Sequence, residues 1–596
     1  MPAVVSRPAS GHFRRFMRSS SPSRHDGLPP GMIASVVLVV IAVLLVWFGT
    51  LDARHLLRPD EGRYAEISRE MFATGDWVTI RYNALKYFEK PPFHMWVTTI
   101  GYELFGVGDW QARLAVALSG LVGLVVTMMA VIRWYGARAG LLAGLALLAM
   151  PMWSVTGHFN SLDMTLSGAL ACVLAFMLLA QHPDASPAAR RGWMLACWAA
   201  MGVAILTKGL VGIALPGLVL VVYTLVTRNL ALWGRLHLVS GIVAMLVVTV
   251  PWFWLISSRN PEFPHFFFIH EHWDRYTSTV HSRKGSIWYF VPLLLAGTLP
   301  WLGLTPRMWT AVRERAGAVR GVGAKPFQPA LLAFIWFAAI FVFFSLSGSK
   351  LPGYIVPVFP ALAILVAVAL EQINERSWLR QINAVTVLSV AGIIASPFVA
   401  TLGNETNPNA VFRVFAIYVG VAFAVLLVGM VLARRLLRAY GLLPSITAFS
   451  LAFFLTCTIA LMGHEVMGRR ASGVDMVPAI KAVLKDDMPL YGVGVLDHTL
   501  PFYLGHTLVM VAAPDELEFG TQQEPDKWIP TMDGFIAKWR DGQPALGIMS
   551  PDTYDSLAAS HLPMYVVARD VRRVVVSNFP PPAAPAPSPK DSRTAP

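Results

Sequence analysis

Apolar runs long enough to cross a bilayer recur along the chain, separated by short polar breaks. A spanning helix needs about 20 apolar residues. By that measure thirteen windows qualify, near residues 32–51, 112–133, 139–157, 163–181, 193–207, 209–227, 236–257, 286–304, 329–347, 353–371, 381–402, 411–433 and 441–463. The divisions around Lys208 and Lys350 are the least sharply drawn. Three stretches break the pattern: residues 52–111, residues 258–285, and residues 464–578. The last alternates helix-like and strand-like runs at Asp475–Leu484, Leu490–Leu496, Leu508–Ala512, Trp528–Trp539, Tyr554–Ala559 and Met564–Ala568, which predicts a small α/β domain.

The basic residues orient these runs. Arg133 and Arg138, Arg190 and Arg191, Arg228 and Arg235, the group Arg307, Arg313, Arg315, Arg320 and Lys325, Arg376 and Arg380, and Arg434, Arg435 and Arg438 fall in every second connection. The alternate connections at 158–162 and 403–410 carry no Lys or Arg. Positive charge stays on the cytoplasmic side, so an odd number of spans leaves the C-terminal extension outside. Arg7, Arg14, Arg15, Arg18 and Arg24 precede the first run, which is too long for a cleaved signal and reads as an uncleaved anchor.

Composition agrees and narrows the class. Of 596 residues 55% are hydrophobic and 14% charged, with a mean hydropathy of +0.55, which excludes an ordinary soluble domain. The net charge of +13 does not indicate nucleic acid, because the cations are dispersed among short loops. Cys172, Cys197 and Cys457 lie inside apolar runs and predict neither disulfides nor a zinc site. No repeat of 20–50 residues and no matching halves are visible, which argues against a solenoid and against a transporter. The expected protein is a polytopic α-helical membrane protein. Residues 1–31 form a cytoplasmic tail, 32–463 the membrane domain with external loops 52–111 and 258–285, 464–578 an external α/β domain, and 579–596 a disordered Pro/Ala-rich tail.

The first loop concentrates ionisable residues. From Glu61 to Phe72, Tyr64, Ile67, Met71 and Phe72 share one face while Arg63, Glu66, Arg69 and Glu70 lie elsewhere, the pattern of an amphipathic helix along the membrane interface. Asp60 stands just before it, where an acid suits the N-cap.

The strings Asp60-Glu61-x-Arg63-Tyr64-Ala65-Glu66, Gly75-Asp76-Trp77 and Tyr87-Phe88-Glu89-Lys90-Pro91 resemble the first loop of lipid-linked GT-C glycosyltransferases, nearest the lipid A aminoarabinose transferases and related to protein O-mannosyltransferases. Asn160-x-x-Asp163, Leu206-Thr-Lys-Gly209 and Ser349-Lys-Leu-Pro-Gly-Tyr-Ile-Val-Pro357 resemble later motifs of the same family, over roughly residues 32–463. The resemblance implies a GT-C fold in the bacterial inner membrane, about thirteen spans and a periplasmic active site. It also implies inverting transfer of 4-amino-4-deoxy-L-arabinose from undecaprenyl phosphate to lipid A phosphate, with resistance to cationic peptides such as polymyxin.

On that resemblance Asp60 and Asp163 form the acidic pair. Arg63, Tyr87, Lys90, Lys208, Arg275, Lys350 and Tyr354 bind substrate. Lys208 lies between two apolar runs, and a charge at that depth favours a phosphate contact over simple snorkelling. A hydroxyl acceptor would call for a carboxylate base, whereas a phosphate acceptor is already anionic and leaves Asp60 to orient the sugar or meet its amine. No cofactor is required. The segment Phe266-Phe-Phe-Ile-His-Glu-His272 is read either as an interfacial belt, with Trp252, Trp254 and Trp273, or, through His270 with Glu89, as a divalent-metal pair. The expected partners are the carrier-linked donor, lipid A or another envelope acceptor and membrane lipids, with no nucleic acid, and the chain acts as a monomer. Transfer of another polyprenyl-phosphate sugar to protein, and transport of a lipid or solute, are the competing readings.

Overall fold

The computed structural model describes residues 30–274, 285–317 and 327–581. Pro30–Gly49 is a 20-residue apolar helix that forms a unit by itself. The chain from Thr50 onward is one compact unit, so the C-terminal extension is not a separate body from the bundle.

A helical segment falls in each of the thirteen windows, but they are not thirteen equal spans. Eight described helices are long and apolar enough to cross a membrane, among them Leu114–Tyr135, Leu162–Ala180, Leu238–Arg259, Glu375–Val399 and Asn409–Tyr440. At about 1.5 Å per residue, 22 residues reach roughly 33 Å. Two windows are broken by proline. Ala137–Ala149 stops at Met150 because Pro151 follows, and a new helix runs Pro151–Thr156. The window 286–304 splits into Phe290–Gly297 and a 3-10 turn Leu299–Leu304 carrying Pro300, and the helix Thr305–Gly317 follows beyond it. Leu162–Ala180 is buried nearly all round, whereas outer helices leave Val247, Val387, Phe398 and Val428 exposed, as lipid-facing positions require.

The C-terminal portion holds a mixed five-stranded sheet in the order β4-β3-β5-β7-β6. The strands are β3 Leu490–Val493, β4 Val509–Val511, β5 Leu546–Met549, β6 Tyr565–Arg569 and β7 Val574–Ser577; β1 Arg81–Tyr82 and β2 Leu85–Lys86 form a separate hairpin in the first loop. β3 pairs in parallel with β4 and β5, and β7 runs antiparallel to β5 and β6. The alternation in the sequence located β3, β4 and β6 but passed over β5 and β7. Both are four-residue strands buried throughout, a short apolar run without alternation.

The first loop is not a surface element. The helix Asp60–Thr74 is buried over Glu61–Ser68, on its charged face as well as its apolar one. One apolar core joins Tyr64, Ile67 and Met71 to Trp252 and Phe263 and on to Leu490, Ile548 and Val575 of the sheet. The close approach falls at Gly62, where a Cβ would stand 2.1 Å from the His498 carbonyl oxygen, so the C-terminal portion rests directly on this helix. The reading of an amphipathic helix lying on a membrane surface is therefore corrected: its second face is covered by protein.

Candidate active site

Two helix ends build the centre of the site. Ser186 caps Pro187–Lys208 by accepting from the Ala189 amide, and the helix ends at Lys208 because Gly209 takes a positive φ of 81° and turns the chain into Val211–Thr227. Asp163 stands in the first turn of Leu162–Ala180, where the helix dipole suits a carboxylate. The Lys208 ammonium pairs with the Asp163 carboxylate and stands 4.6 Å from the centre of the Tyr354 ring. Gly353 backs the pair: a Cβ there would meet Asp163 Oδ2 at 2.3 Å.

These side chains line a cavity of about 200 Å³ with Glu89, Lys90, Glu271 and Ser349. Leu166, Val211, Phe343 and Phe344 form its apolar wall. Lys90 Nζ lies 3.3 Å from Glu271 and 3.5 Å from Glu89. The Tyr87 hydroxyl donates to Glu89 Oε2 at 3.3 Å. Six of the residues singled out in the sequence, Asp163, Lys208, Lys90, Glu89, Tyr87 and Tyr354, are thus brought together.

Asp60 is the first residue of its helix rather than its cap; Pro59 holds the cap position and no side chain caps the end. Asp60 instead pairs with Arg63 at 3.3 Å, and it is near enough to bear on the charge of Lys208. Arg63 is buried and reaches Glu516 of the C-terminal portion at 2.7 Å. Glu516 was not foreseen. Burial pushes its carboxyl up to about 7 against the pull of the Arg63 guanidinium, and Glu89 and Asp60 push in the same direction as burial. Its Oε1 is buried without a hydrogen-bond partner. Of the acidic pair of the sequence reading, Asp60 thus belongs to a set of carboxylates with Glu516 and Glu89, while Asp163 pairs with Lys208.

Glu61 was also missed, although it stands beside Asp60. It receives Arg54 at 2.8 Å and Arg113 at 2.9 Å, and also the Asn160 amide at 2.9 Å. Burial would raise this carboxyl, but Arg113 and Arg54 outweigh it and hold it down to about 2. The side-chain oxygen of Asn160 in turn accepts from His94 Nε2 at 3.0 Å. This network fixes the start of the Asp60 helix against the turn that carries Asp163. Arg113 adjoins an apolar run, and a charge in that place was the available signal.

Lys350 is redirected. Its ammonium donates to the carbonyls of Phe344 at 2.8 Å and Ser345 at 2.6 Å, closing the end of Pro329–Leu346 instead of entering the cavity. Arg275 lies outside the described residues, as does the side chain of Trp273. Trp252 is buried and donates to Val78, so only Trp254 of the described pair is exposed as a belt residue would be. His270 stacks on Phe266 with ring centres 5.2 Å apart. Among the described residues no group of three or more His, Cys, Asp or Glu side chains is placed to hold a metal ion.

Buried charge at the ends of apolar helices, facing a half-apolar cavity, defines a multi-pass membrane protein with a reaction site at one edge of its bundle. Comparisons give that site its class. Residues 476–578 match the model of the aminoarabinose transferase C-terminal domain, and residues 89–254 that of dolichyl-phosphate-mannose-protein mannosyltransferase. The undecaprenyl phosphate-alpha-4-amino-4-deoxy-L-arabinose arabinosyl transferase of Aeromonas hydrophila is 33% identical over 425 residues, 68% of this chain and 74% of the relative. That of Aeromonas salmonicida is 35% identical over 383 residues, 61% of this chain and 67% of the relative. The crystal structure of ArnT from Cupriavidus metallidurans bound to undecaprenyl phosphate superposes with a TM-score of 0.87 at 63% identity, covering 92% of this chain and 98% of that one. The protein is a membrane glycosyltransferase. It belongs to the family of undecaprenyl phosphate-aminoarabinose arabinosyl transferases.

Proposed function

We propose that the protein transfers 4-amino-4-deoxy-L-arabinose from undecaprenyl phosphate to a phosphate of lipid A, at the periplasmic face of the inner membrane. The observation that carries the reading is the cavity between Lys90 and Lys208, with cations on one side and Leu166, Val211, Phe343 and Phe344 on the other. A carrier lipid needs both, an apolar path for its tail and fixed positive charge for its phosphate. An acceptor phosphate oxygen would attack the anomeric carbon as the bond from that carbon to the carrier phosphate oxygen breaks. The electron pair leaves with undecaprenyl phosphate, and the configuration inverts. Lys90 and Lys208 would stabilise the departing charge. The acceptor is anionic at neutral pH, so no general base is called for. Asp60, Glu89 and Glu516 around Arg63 then serve the sugar, and a set of carboxylates suits one that bears an amine.

This route uses no cofactor. Dialysis against EDTA tests that point: retained activity agrees with lysines alone, and a loss restored by a divalent ion assigns an ion to Glu89 and His270. The main experiment is transfer by the purified protein in micelles, with lipid A followed by mass spectrometry. A gain of one aminoarabinose on lipid A is expected. Transfer to protein hydroxyls and none to lipid A would replace this acceptor.

A further inference from the structure

A second cleft, of about 490 Å³, opens between the ends of the bundle helices and the β6–β7 hairpin. One side is Thr406, in the connection between Glu375–Val399 and Asn409–Tyr440, and Arg469 and Arg470 of the helix Glu465–Ser472, which continues the apolar helix Leu442–Gly463. Three apolar helices therefore have their ends at this cleft. The other side is Val567 to Arg572 of the hairpin.

Four arginines line it, Arg469, Arg470, Arg569 and Arg572. Arg469 is matched by Asp475 at 2.7 Å. Arg470, Arg569 and Arg572 make no ion pair with another described residue. Arg573 lies behind Gly473, another lining residue. It is buried, pairs with Asp497 at 3.1 Å, and keeps Nη1 without a hydrogen-bond partner beside Gly473. The floor is apolar, with Met476, Ala479, Val567 and Ala568. On the same hairpin Tyr565, Val566 and Val571 are exposed. Guanidinium forks over an apolar floor suit a phosphate borne on a lipid. Behind the cleft a line of contacts runs to the first-loop helix: Asp497 holds Arg573, and the carbonyl of the next residue, His498, rests on Gly62 of the Asp60 helix.

We propose that this cleft docks the acceptor lipid by a phosphate that does not react, while its other phosphate reaches the Lys90–Lys208 cavity. Lipid A carries a phosphate at each end of its sugar headgroup, so one molecule can supply both. The inference rests on the acceptor proposed above, but its test does not depend on transfer. Binding of diphosphoryl and monophosphoryl lipid A to the purified full chain is measured for the native sequence and for the triple variant Arg470→Gln, Arg569→Gln, Arg572→Gln. The native protein binds the diphosphoryl form about tenfold more tightly, and the triple variant binds both alike. Equal binding by the native protein, or a preference that survives in the variant, overturns the proposal. So does displacement of diphosphoryl lipid A by an equal concentration of phosphatidylglycerol, which would make the cleft a site for bulk anionic lipid. If the triple variant loses its thermal transition, Arg470→Gln and Arg569→Gln singly carry the same comparison, each with a smaller loss of preference. A native protein that binds as expected but transfers no sugar would count against the proposed reaction and leave the docking site standing.

Discussion

Arg63 of the first loop and Glu516 of the C-terminal portion meet at 2.7 Å inside the protein, and the second carboxylate oxygen of Glu516 lies 3.7 Å from His498 Nδ1 with no hydrogen bond. The sheet-bearing portion thus places a charged side chain against the first-loop helix. Burial, opposed by Arg63, sets its carboxyl at about 7. Only the ionised form attracts an ammonium group, so kcat/KM for the aminoarabinose donor should rise as pH increases from about 6 to 8. Glu516→Gln should remove that rise and lower kcat/KM at pH 8 about tenfold. An unchanged profile in the variant would assign the ionisation elsewhere.

Lys90 and Asp60 are tested by truncation. Lys90→Ala removes one of the two cations that line the cavity among the described residues, and Asp60→Ala removes the carboxylate that pairs with Arg63 at 3.3 Å. Both variants should fold, since neither side chain is fully buried, and both should lose transfer by about a hundredfold or more. Near-normal turnover in both would remove these residues from the site.

Gly353→Ala tests the Asp163–Lys208 pair without altering either charge. The added methyl would stand 2.3 Å from Asp163 Oδ2 and must displace the carboxylate. Transfer should fall while the thermal midpoint drops modestly, with a cost of about 1–3 kcal/mol. A variant with native kinetics would show that the position of Asp163 does not matter.

Glu61→Ala leaves Arg54 and Arg113 buried with no carboxylate, and removing one partner of a buried ion network costs about 3–5 kcal/mol. The expected result is a large drop in folded yield by size-exclusion chromatography, with Glu61→Gln only partly restoring it.

Two buried glutamates bend stability in opposite directions with pH. Glu61 is held down to about 2, so its contribution is present above 4.5 and lost as pH falls toward 2. Glu70 is pushed up to about 8, by burial first and then by Glu66, against the amides of Ala84 and Asn83. Its contribution is present below 4.5 and lost as pH rises through 8. Between about pH 5 and 8 the thermal midpoint should decline and then level off, and Glu70→Gln should flatten that decline. An equally steep decline in the variant would exclude Glu70 as its source.

The sequence carried the membrane helices well, because an apolar run of 20 residues needs no tertiary partner to be recognised. It failed where a proline divided a run, at Pro151 and Pro300, since hydropathy averages over the break. Asp163 and Lys208 were legible as costly charges at the ends of apolar runs. Glu516 was not, because it lies in the run Asp515-Glu516-Leu517-Glu518, where its burial depends on a helix far away in the chain. Lys350 misled for the opposite reason: a lysine beside a span serves equally well to close a helix, and only the carbonyls of Phe344 and Ser345 decide between the two.

The absence of a side chain at Gly62 leaves the bundle and the sheet-bearing portion separated at that point by the width of a single backbone. The two surfaces are thereby constrained together. A change at His498 or Thr499 must keep pace with position 62, and a sheet borrowed from a distant relative would need its own matching first loop. Selection for a different sugar would accordingly act on both sides of this seam together, as though the site were encoded by one gene segment rather than by two distant ones.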